Sequence, residues 1–290
     1  MAKENYVFLV GYVKKEPAFI RDHDGNPIEG IMPLTTIRRG PFDEAGNFSP
    51  KWDKPILRTK DPRLVKKMES IKLHDIVETK CSIVTAHAER KIICPHCGAQ
   101  HMKDTALVYL SPISICVRQH VESDTAGVGA LLDVDLAEIS NVAKIIGRVC
   151  NEEGVKYYED GEGHAKSSYQ IAVNRKFYIY GSTMDRGSVD DATQDDRADY
   201  PWVTSYGKVA EEDYQQIQQG SLIFIDGYVH TQSYNQKTVC ENPECGKEFE
   251  YKCQSFTITP YSNEYLEGCK LVDSVRNLSR ESDLDLGVEE

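Results

Sequence analysis

A chain of 290 residues with 40% hydrophobic content has room for two ordinary domains with packed cores. No apolar run reaches the roughly 18 residues of a membrane span. The opening Met1-Ala2-Lys3-Glu4-Asn5 leads into a strand-like run without a signal peptide's apolar segment, so a soluble, cytoplasmic protein is expected. The net charge of −12 is unevenly spread: residues 1–118 carry 19 basic and 14 acidic side chains, and residues 119–290 carry 15 and 32. Such a balance sets solubility and steering but leaves room for a local basic groove.

In chain order, β-branched and apolar runs predict strands at about 5–14, 28–39, 55–60, 75–86 and 105–117. A helix is predicted between the third and fourth, with Asp61 as N-cap and Pro62 at its first position. Residues 119–140 hold five acids and no Lys or Arg, and Thr125 to Ala130 reads as a flexible connector. Leu131 to Ile139 reads as a short amphipathic turn or a segment docked on a neighbour. Then the pattern repeats. Asn5 to Val13 resembles Asn141 to Val149, Pro55 to Thr59 aligns with Pro201 to Ser205, and Cys97-Gly98 aligns with Cys245-Gly246. The spacing from Gly98 to Pro112 equals that from Gly246 to Pro260. The helix slot of the second copy holds Lys208 to Ile217, closed by Gly220.

Three strands, a helix and two strands is the order of a five-stranded OB barrel. The predicted fold is mainly β, with two tandem OB barrels, each with a helix between strands three and four and a cysteine knuckle between strands four and five. The division is 1–118 (knuckle 87–104), an acidic linker 119–140, 141–268 (knuckle 234–254) and an acidic tail 269–290.

The second copy resembles the bacterial and phage-type single-stranded DNA-binding protein family. The resemblance rests on Gly147-Arg148-Val149, Tyr169 to Arg175, Trp202 to Glu211, and Gly220 to Val229. It covers about 90 residues; the first copy joins through the internal repeat. The resemblance implies sequence-independent binding of single-stranded DNA during replication, recombination or transfer, in a bacterial, phage or plasmid setting. The family's acidic tail ends in a Pro-Phe signal for repair proteins, whereas this one ends Val288-Glu289-Glu290, so docking of replication or recombination proteins by the tail is the weaker expectation. Two chains pairing as a homodimer and a chain acting alone both fit.

Single-strand binding needs aromatic platforms and backbone cations. With Val203 assigned to the core, strand alternation turns Trp202, Thr204 and Tyr206 outward, and Ile56, Arg58 and Lys60 at the matched positions of the first copy. Tyr169, Ile171 and Val173 are assigned to the core face, and Lys176, Tyr178 and Tyr180 to the opposite one. Arg38, Arg39, Trp52 and Lys54 in and around the loop after the second strand, and Lys208 at the second helix, complete the candidate DNA-binding set. The same loop of the second copy, about 181–200, carries Arg186 and Arg197.

Nine cysteines, four of them in two tight pairs, suggest metal rather than disulfides in a reducing compartment. Cys94-Pro95-His96-Cys97-Gly98 has the form of a zinc knuckle. His101 is its candidate third ligand, and Cys81, His87 and Cys116 are candidates for the fourth. The second copy offers Cys240 and Cys245 with Cys253 as third and His230 or Cys269 as fourth. The expectation is one zinc site per copy. No P-loop, nucleophile elbow, zincin or deaminase motif occurs, which points away from an enzyme. The competing class is an OB and zinc-ribbon module that binds a protein of a replication or transcription complex.

Overall fold

The computed structural model describes residues 4–38, 49–180 and 198–270. The first half comprises β1 (Asn5–Tyr12), β2 (Ala18–Arg21), β3 (Pro27–Pro33), β4 (Thr36–Arg38), β5 (Lys51–Asp53), β6 (Ile56–Thr59), α1 (Pro62–Glu69), β7 (Asp75–Ile93) and β8 (Gln100–His120). Two short helices follow, α2 (Asp124–Leu131) and α3 (Val134–Ile139). The second half comprises β9 (Asn141–Val149), β10 (Lys156–Glu159), β11 (Ala165–Asn174), β12 (Ala198–Asp199), β13 (Trp202–Tyr206), α4 (Gly207–Gln216), β14 (Leu222–Val239) and β15 (Glu248–Glu267). Among the described residues, no helix is long and apolar enough to cross a membrane.

Each half is an OB barrel, as the element order predicts. In the second, β9 pairs with β14, β14 with β15, β15 runs parallel to β13, β13 pairs with β11, and β11 returns to β9. The first follows the same path, β1–β7–β8–β6–β3, and is closed by a bridge between Tyr12 and Thr35. Alternation fills the interiors: Val7 and Leu9 in β1, Ala143, Ile145 and Val149 in β9, and Tyr169, Ile171 and Val173 in β11 all lie in one core cluster. The α1 start signals act as predicted. Asp61 accepts a hydrogen bond from the Arg63 N–H and Pro62 opens the helix, which buries Leu64, Val65 and Met68 on the barrel. The second helix ends at Gln216, earlier than predicted; Gly220, at φ 85°, serves the turn into β14 instead.

The barrels are joined edge to edge. β1 and β9 run antiparallel, with Val7 opposite Ala143, Asn5 opposite Ile145 and Leu9 opposite Asn141. The register maps onto itself when the copies are exchanged, which makes it a local two-fold. Equivalent buried asparagines pin the strands: Asn5 exchanges side-chain hydrogen bonds with the Ile83 backbone (3.0 and 2.8 Å), and Asn141 with that of Val229 (2.8 and 3.0 Å).

Two reciprocal clamps reinforce the joint. Fully buried Asp53 of the first copy holds Arg38 (2.8 Å) and accepts the Thr231 N–H of the second (2.8 Å). Fully buried Asp199 of the second copy holds Arg175 (2.7 and 2.8 Å) and accepts the Thr85 N–H of the first (2.8 Å). Each carboxylate thus ties its own barrel to the hairpin of the other.

The connector is helical rather than flexible. Ser123 caps α2 by accepting the Ala126 N–H, and Leu131 and Ala137 are buried against Val10, Tyr12, Ile37 and Ile76. Gly127 is needed there because a Cβ would lie 2.5 Å from the Tyr12 ring.

Both β7–β8 and β14–β15 are hairpins far longer than a barrel needs. From Thr85 opposite Val108 to Ile93 opposite Gln100 the first adds eight residue steps, roughly 26 Å at about 3.3 Å each. The second continues likewise to Val239 opposite Glu248. These two arms set the geometry of the site.

The clamps carry a prediction. Asp199→Ala leaves the Arg175 guanidinium largely buried without its partner and should lower the unfolding free energy by about 3–5 kcal/mol. Urea denaturation of the full chain measures it.

Candidate nucleic-acid interface and thiol cluster

The arms leave separate barrels and meet at their tips. Between them lies a cavity of about 860 Å³, lined by both arms and both barrels. Its floor includes Ile56 from β6 and Trp202 from β13, strands that are equivalent in the two copies. Tyr234, Tyr251 and Phe256 of the second arm line it, as do Arg90 and Lys103 of the first and Lys252 of the second. Arg90 lies over the Tyr251 ring at 5.6 Å, while Lys103 is paired to Glu241 at 2.5 Å.

Trp202 is 38% exposed and Tyr206 49%, and Val203 is fully buried, as alternation predicts. Thr204 departs from that expectation and is buried. Lys166 sits 5.9 Å from the Tyr206 ring centroid. Tyr178 and Tyr180 are exposed beyond the end of β11, with Ile179 buried between them. Lys176 is exposed and paired to Glu4 at 2.8 Å.

Several predicted cations are already committed to the protein. Arg38 belongs to the clamp: besides Asp53 it stacks over Tyr228 at 4.5 Å and lies 3.3 Å from His230 Nδ1. Arg58 pairs with buried Glu29 and lies 5.5 Å from the Tyr109 centroid, and the pairing raises its already high pKa. Lys208, by contrast, keeps an 87% exposed side chain and meets Glu212 only at 3.7 Å one helical turn on. Lys54 and Lys60 keep exposed side chains, although the Lys54 backbone is fixed, donating to Thr231 Oγ1 (2.6 Å) and accepting from Gln254 (2.9 Å). Trp52 is half-buried against the cluster that receives the linker helices. Arg39, Arg186, Arg197 and the acidic tail from residue 271 lie outside the described residues.

The cysteines do not form one site per copy. Cys94 and Cys97 from the first arm and Cys240 and Cys245 from the second converge into a single cluster, with all four sulfurs within 4.8 Å of one another. Cys94 Sγ lies 3.9 Å from Cys245 Sγ, and Cys97 Sγ lies 3.6 Å from Cys240 Sγ. Thiolates around a tetrahedral zinc with Zn–S near 2.3 Å stand about 3.8 Å apart, so the set fits one ion. Each turn is shaped for this by backbone bonds, Cys94 N–H to Ala99 O and Cys240 N–H to Lys247 O (both 2.9 Å), and by glycines at positive φ, Gly98 (73°) and Gly246 (56°).

The other expected ligands fall elsewhere. His101 is buried beside the cluster, its Nε2 3.3 Å from Cys240 Sγ and its Nδ1 3.7 Å from Glu241, where four thiols already complete a tetrahedron. Cys253 stands lower on the arm, bonded to Gln236 (3.4 Å) and approached by Arg90 (3.7 Å), outside the cluster. Cys81 is sealed in the first barrel, where burial pushes its thiol up to about 12. His230 belongs to the Asp53 clamp at 3.0 Å. His101 and the matching Phe249 face each other at 6.1 Å, and Phe249 packs with Ile92, Cys94 and Cys240 in a small core beneath the sulfurs.

Residues 140–243 match the model of the single-strand binding protein family. The second repeat carries that family's domain. Beyond it the likeness is one of fold. The wild-type single-stranded DNA binding protein from Thermus aquaticus aligns over 94% of this chain and 99% of its own at 12% identity, with a TM-score of 0.55. A deletion mutant of the same Thermus aquaticus protein aligns over 92% of this chain and 97% of its own, again at 12% identity, with a TM-score of 0.56. Both alignments run through nearly the whole of each chain, so the likeness of fold is not confined to the second repeat. No curated protein sequence matches the chain.

Sequence reasoning missed the arm residues Arg90, Tyr234, Tyr251 and Phe256. Arg90, Tyr234 and Tyr251 fall inside the expected knuckles, 87–104 and 234–254, which were expected to hold metal ligands rather than strands. It also assigned Arg38 to DNA. Arg38→Ala should destabilise the chain by about 3–5 kcal/mol by stranding buried Asp53. It should leave the salt slope of oligo-dT binding unchanged, since no phosphate contact is lost. Titrations at four salt concentrations measure the slope.

Proposed function

We propose that this protein binds single-stranded DNA, largely independently of sequence, without catalysing a reaction on it. The observation that carries this reading is the cavity between the arms, which brings Trp202 of the second barrel together with Tyr234 and Tyr251, two aromatics on one face of the second arm. Bases stack on such side chains at about 1–3 kcal/mol each, whatever their identity. Arg90, over the Tyr251 ring at 5.6 Å, supplies positive charge at the same surface. The family domain at residues 140–243 supports the same ligand class.

In this reading a strand crosses from the exposed Tyr206 and Trp202 into the space between the arms, and Tyr178 and Tyr180 extend the platform along the outside of the second barrel. Roles in replication, recombination or transfer follow from coating single strands. Zinc is the ion that the four thiols at the arm tips fit best, because sulfur-only tetrahedral sets select it over harder cations.

Labelled oligo-dT, random duplex and RNA, titrated at several salt concentrations, test the reading. Tight, salt-sensitive binding to oligo-dT over duplex supports it, and no oligo-dT binding below micromolar concentrations sinks it. Trp202→Ala should weaken oligo-dT binding by about 1–3 kcal/mol and reduce tryptophan quenching on saturation. Unchanged affinity in a folded variant would remove Trp202 from the platform.

A further inference from the structure

We infer that the four cysteines form one metal clasp that locks the two arms together, and that its closure governs how fast a bound strand escapes. The inference rests on the strand-binding reading for its ligand, and on geometry alone for the clasp.

The arms belong to different barrels, and their strands do not pair with each other. At the tips they meet through the four thiols, a small apolar core of Ile92, Cys94, Cys240 and Phe249, and a contact of His96 Nε2 with the Glu248 carbonyl at 3.3 Å. Just below, Lys103 and Glu241 pair between the arms. The apolar joint is minor beside either barrel core, and the polar contacts are exposed, where an ion pair adds little. A tetrathiolate metal would therefore be the dominant bond between the tips, since such ions contribute folding energy directly.

The connections form a closed circuit: first barrel, first arm, thiol cluster, second arm, second barrel, and back through the β1–β9 joint. The cavity of about 860 Å³ lies within it. A strand held there is enclosed by protein. It leaves by sliding past an end or by the arms parting at the clasp. Neither copy has a complete ligand set, so both arms must be in place for the ion to be held.

Two measurements test this. The first is metal content of the purified full chain by mass spectrometry. One zinc per chain is expected, and either Cys94→Ser or Cys240→Ser, from opposite arms, should abolish it. Two zincs per chain, or retention of a full equivalent in one of these variants, would overturn the shared site. The Co²⁺-loaded chain gives an independent check, since a four-sulfur tetrahedral site has intense visible and thiolate charge-transfer bands. Their absence counts against the clasp even if the serine variants misfold.

The second is dissociation of the metal-loaded chain from circular single-stranded DNA and from a short linear oligo-dT. Escape from the circle should be slower by about tenfold or more, and a zinc chelator should remove that difference. Equal rates before and after chelation would overturn the gating role. A chain that binds one zinc but neither DNA leaves the shared site standing and refutes the strand-binding reading instead.

Discussion

The antiparallel pairing of β1 with β9 is the constraint from which the rest of the arrangement follows. Its register, centred on Val7 and Ala143, imposes a two-fold relation between barrels whose sequences have diverged. The relation explains why contacts come in matched pairs: Asn5 with Asn141, Asp53 with Asp199, Arg38 with Arg175, Thr85 with Thr231. An isologous contact brings any feature near the axis face to face with its own counterpart. The fourth-strand hairpins lie near that axis, so lengthening both brings two similar tips together. A half-site at each tip then becomes a whole one.

The two-fold holds for the backbone and is broken by the side chains. Trp202 in the second barrel corresponds to Ile56 in the first, and the two share the cavity floor as one aromatic and one aliphatic surface. His101 faces Phe249 beneath the thiols, one polar and one apolar. The arm aromatics Tyr234, Tyr251 and Phe256 all come from the second copy, and the closest first-arm cation, Arg90, lies over one of them. The side chains have thus diverged between the copies without disturbing the joint.

Much of the fold was legible in the sequence because its signals are local. The repeat appears in the equal Gly98–Pro112 and Gly246–Pro260 spacings, the barrel order in the succession of apolar runs, and the start of α1 in Asp61-Pro62. What was illegible depends on partners far away in the chain. Local reading gave each cysteine pair its nearest His or Cys, yet the sulfurs that meet are 143 and 151 residues apart. Thr204 should face out by alternation, but it is buried in a strand flanked on both sides, by β11 and by β15. The glycines at 127 and 129 suggested a flexible linker; Gly127 instead makes room for a tyrosine ring from β1. Arg38 looked available for phosphate because nothing near it in the sequence reveals that Asp53 is buried and needs a counter-charge.

The division of the thiols also bears on how the molecule is made. A chain synthesised through the first barrel and linker presents Cys94 and Cys97 alone, and no tetrahedral set exists until Cys245 has followed and the second barrel has closed against the first. Contacts of such long sequence separation form late, after the local hairpins that carry them. The four sulfurs therefore come together only in a chain whose two barrels are both folded and docked on each other.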